Sequence, residues 1–64
     1  MELAEARKRA RYSQQQVADQ LGVSRPTYRK LEENPDIITI ADAKILSKLF
    51  DVDVSEIFFD NDYS

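Results

Sequence analysis

Residues 14–31 read QQQVADQLGVSRPTYRKL, and the rest of the chain is organised around them. Val17, Ala18 and Leu21 repeat at the spacing of a buried helical stripe. Tyr28 and Leu31, three residues apart, share one face of a second helix. Gly22 stands between the two, where positive φ carries no steric penalty and can end one helix and turn the chain. Ala18 is small where the two axes should come closest. Ser24 is a good N-cap, which makes Arg25 the first helical residue and puts Pro26 in the first turn, where its missing N–H costs little.

Two short helices joined by one tight turn form the pattern of a helix-turn-helix, whose second helix is normally offered to the major groove of DNA. With Tyr28 and Leu31 inward, Arg25, Pro26, Arg29 and Lys30 fall on the solvent side. Arg25 and Arg29 are four apart, so their guanidinium forks point the same way. A guanidinium matches the O6/N7 edge of guanine in shape and charge. Three cations on a helix face usually do no more than solvate it; on the second helix of this motif, DNA contact is the better reading.

Outward from the motif, the chain is 64 residues, enough for one domain that buries about 60% of its unfolded surface. It has no cysteine and no histidine. Disulfides, thiol nucleophiles, the usual zinc sites and imidazole catalysis are thereby excluded, and an enzyme is not expected. No metal or other cofactor is implied. No apolar run reaches membrane-spanning length, and MELAEARKRA at the N-terminus lacks a signal-peptide core, so a cytoplasmic protein is expected.

Net charge is −3, against the basic balance expected of a nucleic-acid binder. Its distribution eases the conflict. Through Glu33 the cations are Arg7, Lys8, Arg9, Arg11, Arg25, Arg29 and Lys30, facing Glu2, Glu5, Asp19, Glu32 and Glu33. Beyond Glu33 only Lys44 and Lys48 oppose Asp36, Asp42, Asp51, Asp53, Glu56, Asp60 and Asp62. The basic half holds the motif. Modest affinity and strong salt sensitivity follow.

The flanks read as further helices. A first helix is expected over Glu2 to Arg11, with Leu3, Ala6 and Ala10 as a thin apolar stripe that Arg7 shares; such an arginine usually snorkels its head into water. Ser13 and Gln16 form a capping box for the second helix. Gln14, in that helix's first turn, either meets a phosphate at the helix N-terminus or is simply solvated. Glu32, Glu33, Asn34 and Pro35 stop the recognition helix, which is placed at about 25–32. Asn34 could close it in the left-handed region, while the following proline favours an extended residue. Thr39 and Asp42 open a fourth helix whose core stripe is Ile40, Ala43, Leu46, Leu49 and Phe50. Asp53 and Glu56 open a short fifth one carrying Ile57 and Phe58. Phe59 cannot share a face with Phe58, and residues 60–64 read as a frayed tail.

These residues resemble the Cro and lambda-repressor family of helix-turn-helix DNA-binding domains. The resemblance runs from about Leu3 to Phe59 and is carried by Gln14, Val17, Ala18, Leu21, Gly22, Val23, Ser24, Tyr28, Leu31 and Glu32, then by VDVSEIF at 52–58. It implies a compact, all-α, five-helix domain that binds a palindromic operator in double-stranded DNA as a dimer. It places Gln14 on a phosphate and Arg25, Pro26, Arg29 and Lys30 at the groove; Gln15 and Thr27 are further phosphate candidates. It also implies an ion pair between Arg7 and Glu32. The chain departs from the family in three places. Tyr28 takes a usually aliphatic core position, Pro26 stands where relatives often read a base through a polar side chain, and the loop after the recognition helix is acidic. The likeness is to the short stand-alone regulators of phages, prophages and bacterial mobile elements.

Three functions fit these observations. The first, preferred, is a sequence-specific regulator acting as a weak homodimer, with the 57–59 region as the apolar contact. The second is an antitoxin or controller that binds a partner protein through its acidic half and its own promoter through the motif. The third is an interaction module that keeps the fold without binding DNA.

Overall fold

The computed structural model describes residues 2–53, 55 and 56. Over these residues the chain is all-helical: α1 is Leu3–Arg9, α2 Gln14–Leu21, α3 Arg25–Glu33 and α4 Ile40–Phe50, with a 3-10 turn at Pro35–Ile37 before α4. The expected fifth helix, the 57–59 dimer contact and the 60–64 tail fall largely or wholly outside the described residues. Its entry is described: Asp53 N–H donates to Glu56 Oε2 at 3.0 Å, and Asp53 Oδ1 accepts from Ser55 N–H at 2.9 Å. Those bonds to Ser55 hold the Asp53 carboxyl below its ordinary pKa.

Helices α2, α3 and α4 each start where a short polar side chain satisfies a free N–H group, whereas Glu2 gives α1 no side-chain cap. Ser13 and Gln16 form the full reciprocal capping box on α2. Ser24 Oγ accepts from Thr27 N–H on α3, and Thr39 Oγ1 from Asp42 N–H on α4. Helix ends follow a second common rule. Val23 N–H reaches back to Ala18 O at 3.0 Å around Gly22, whose φ is 73°. The same closure recurs around Arg11, with Tyr12 N–H on Arg7 O, and around Asp51, with Val52 N–H on Ser47 O. Arg11 and Asp51 have φ of 66° and 55°, a left-handed conformation that costs a residue with a Cβ about 1–2 kcal/mol.

The first helix is therefore shorter than the Glu2 to Arg11 expected. Glu2 is its N-cap and Ala10 its C-cap, and Arg11 makes the corner. The turn-back lets Tyr12 stack obliquely on Phe50 of α4, with ring centroids 6.0 Å apart. That contact joins the first corner to the last helix, and aromatic burial outweighs the strain of one left-handed arginine.

The core is formed by Leu3 and Ala6 of α1, Val17 and Ala18 of α2, Tyr28 and Leu31 of α3, and Leu46 and Phe50 of α4. Fully burying a side chain such as Leu3, Val17 or Leu46 contributes roughly 1.5–3 kcal/mol. Helix α2 packs most extensively on α3, and Ala18, completely buried, permits the close approach. One member of the expected α4 stripe fails: Ile40 is 78% exposed. It is the first residue of the helix, next to the Thr39 cap, and the stripe that faces the core begins a turn later at Ala43. At Asn34, φ −141° and ψ 80° show that the proline after it decides the backbone.

Candidate DNA-binding surface

The exposed face of α3 is built by what its opposite face buries. Tyr28 and Leu31 fix the rotation of the helix, and Arg25, Pro26, Arg29 and Lys30 are left in solvent. With Gln14 and Glu33, these four line one shallow, open groove between the start of α2 and the outer face of α3. All four base-reading candidates are thus brought together, with the leading phosphate candidate at their edge.

The phosphate candidates are placed as follows. Gln14 is half-buried, and its amide Nε2 donates to Glu32 Oε1 at 3.0 Å. Gln15 is exposed, with its amide on Asp19 Oδ1 at 2.9 Å, and Thr27 Oγ1 accepts from Ser24 Oγ within the cap of α3. Gln16 N–H is consumed by the Ser13 cap. What α2 can offer an anion is the first-turn backbone N–H of Gln14 and Gln15.

Behind the groove lies a buried polar cluster. Arg7 Nε donates to Glu32 Oε2 at 2.6 Å, with side chains 11% and 7% exposed. Arg7 Nη1 also donates to the Tyr12 carbonyl at 2.9 Å, so the guanidinium does not snorkel to water but is held between α3 and the first corner. Burial alone would raise the Glu32 carboxyl; the Arg7 hydrogen bond, with Tyr28 and Gln14 assisting, outweighs it and holds the pKa below the ordinary value. The Tyr28 hydroxyl lies beside this pair, fully buried, and makes no hydrogen bond of good geometry. Burial drives its pKa far upward, and neighbouring Glu32 adds to the shift. The phenol is therefore neutral and acts on the carboxylate as a nearby dipole.

The helix-turn-helix family matches residues 3–57, most of the chain. The chain belongs to this family, in its Cro and lambda-repressor branch. The family is one of DNA-binding regulators and not of enzymes, so the helix-turn-helix domain is a DNA-binding regulatory domain. No curated protein and no solved structure matches the chain. Among the described residues, no helix is long and apolar enough to cross a membrane.

One residue of the groove was missed in the sequence. Glu33 accepts from Arg29 Nε at 3.2 Å, both side chains being well exposed. The i,i+4 spacing of Arg29 and Glu33 was the available signal. Counting Glu33 among the residues that stop the helix hides that spacing.

Proposed function

We propose that this domain is a sequence-specific transcriptional regulator of the Cro or repressor kind, with α3 as its recognition helix. The observation that carries the reading is the outward display of Arg25, Arg29 and Lys30 on one face of α3, next to the open N-terminus of α2. A basic face on the second helix of this motif gives two kinds of contact at once. Phosphates at the start of α2 set the register, and side chains of α3 read base edges.

In this reading Gln14 holds a phosphate chiefly through its backbone N–H, because its amide is engaged by Glu32. Gln15 and Thr27 border the same phosphate path. Arg25 and Arg29 take guanines, Lys30 a neighbouring base or phosphate, and Pro26 an apolar contact such as a thymine methyl. The operator is palindromic, and two copies place their recognition helices about 34 Å apart on one face of the duplex.

Selection of bound duplexes from a random DNA pool, followed by titration at two salt concentrations, tests the reading. A symmetric consensus with affinity that falls steeply with salt is the expected result. Failure to enrich any sequence, with no duplex retained at low salt, would remove DNA binding. One protein per duplex without a symmetric site would remove the dimer alone.

A further inference from the structure

Glu33 is the acid among the residues that line the reading groove. A carboxylate there should repel phosphates, and helix stability does not explain it. It is the last residue of α3, where the helix dipole disfavours negative charge, and it follows its basic partner by four, the weaker of the two orientations. With both side chains about two-thirds exposed, the pair adds little to folding.

Its geometry has a different effect. Glu33 Oε2 takes the Nε–H of Arg29. That leaves the guanidinium edge made by the two Nη groups, which has the parallel donors needed for guanine O6 and N7. We propose that Glu33 is a specificity-determining residue: it orients Arg29 toward a base edge and withholds it from the phosphates that dominate binding to random DNA. The proposal rests on the DNA-binding reading above and names the regulation of contact at that same surface.

Two terms act together. Without Glu33, Arg29 can swing to any phosphate within reach, gaining affinity that carries no sequence information. The missing negative charge also stops opposing nearby phosphates. A unit charge about 7 Å from a phosphate in a water-like dielectric is worth about threefold in binding. The charge term raises binding to every duplex alike; the release of Arg29 is what favours random over preferred sequence.

The test compares Glu33→Ala, Glu33→Gln, Arg29→Ala and the Arg29→Ala/Glu33→Ala double variant on two duplexes. One is selected by the unaltered protein from a random pool; the other is its scrambled counterpart of equal length. Glu33→Ala should bind the scrambled duplex about threefold more tightly or better without a matching gain on the selected one. Glu33→Gln should share the gain on scrambled DNA but keep more of the preference, because its amide oxygen can still accept from Nε. With Arg29 already replaced, removing Glu33 should move both duplexes by the same factor. Equal changes on both duplexes with Arg29 present overturn the proposal while leaving DNA binding intact. If the unaltered protein retains neither duplex, the underlying function fails and the proposal falls with it.

Discussion

Glu32 and Glu33 are neighbours in the chain, each paired with an arginine, and they belong to opposite sides of α3. Glu32 faces inward, 7% exposed by side chain, and meets Arg7 at 2.6 Å; Glu33 faces out, 62% exposed, and meets Arg29 at 3.2 Å. In the first pair desolvation makes each charge depend on the other. In the second, water screens both, and the bond decides where one side chain points rather than whether the protein folds. An ion pair's surroundings, more than its length, decide which property of the molecule it controls.

The sharpest break should come from the inner pair. Arg7→Met or Glu32→Leu alone strands a buried charge and should cost about 3–5 kcal/mol, enough to unfold most molecules of so small a domain. The double variant should recover much of that loss. Urea or thermal unfolding of all three checks it; two mild, additive single losses would put the pair in the same class as Arg29–Glu33. Acid should weaken the pair more gently. Glu32's folded pKa lies below the ordinary 4.5, so its contribution is complete above that value and is lost as pH falls through the lower folded one. Urea midpoints measured downward from neutral pH should show this loss, and the Arg7→Met/Glu32→Leu double variant should lack that share of it.

On the outer face the largest effect should appear in binding. Replacing whichever of Arg25 and Arg29 contacts guanine with alanine should cost about 1–3 kcal/mol on the selected duplex and relax preference at one base pair. Gel-shift titration on single-base variants of the duplex reads this. Loss of affinity without any change in preference would make both arginines phosphate anchors.

Tyr28 tests the boundary between the two regimes. Its buried hydroxyl has no good hydrogen-bond partner, so Tyr28→Phe should stabilise the domain by about 1 kcal/mol. A comparable loss in urea unfolding would show that the dipole it lends Glu32 is worth more than its own unpaired burial costs. Smallest of all, Glu33→Ala should alter folding stability by no more than about 0.5 kcal/mol in the same assay. A larger loss would blur the contrast between the neighbours.

Much of this arrangement could be read before the structure, because local chemistry controls it. Ser13, Ser24 and Thr39 cap their helices through bonds three residues away, and Gly22 turns the motif through a conformation that its own type allows. The unread parts depend on distant partners. Nothing local in Arg11 says that it will adopt positive φ; the Tyr12–Phe50 contact, almost forty residues apart in sequence, draws the corner there. Ile40 fits its helical stripe by spacing, but spacing does not say where along α4 the neighbouring helices end. In the groove, the outward set on α3 followed from the inward pair Tyr28 and Leu31. The tether from Gln14 to Glu32 did not, since it requires knowing how two helices cross.

Glu32 accepts from Arg7 of α1 and Gln14 of α2 while belonging to α3, so one carboxylate is shared by three helices. Cooperativity follows from this sharing. If α1 frayed by itself, an unpaired charge would be left in the interior, and separating α2 would remove another of its donors. Partial openings in this region therefore lie close in free energy to complete unfolding. In amide hydrogen exchange, the buried amides of α1, α2 and α3 should open as one unit. Helix α3 has no low-energy way to detach from the helix that precedes it.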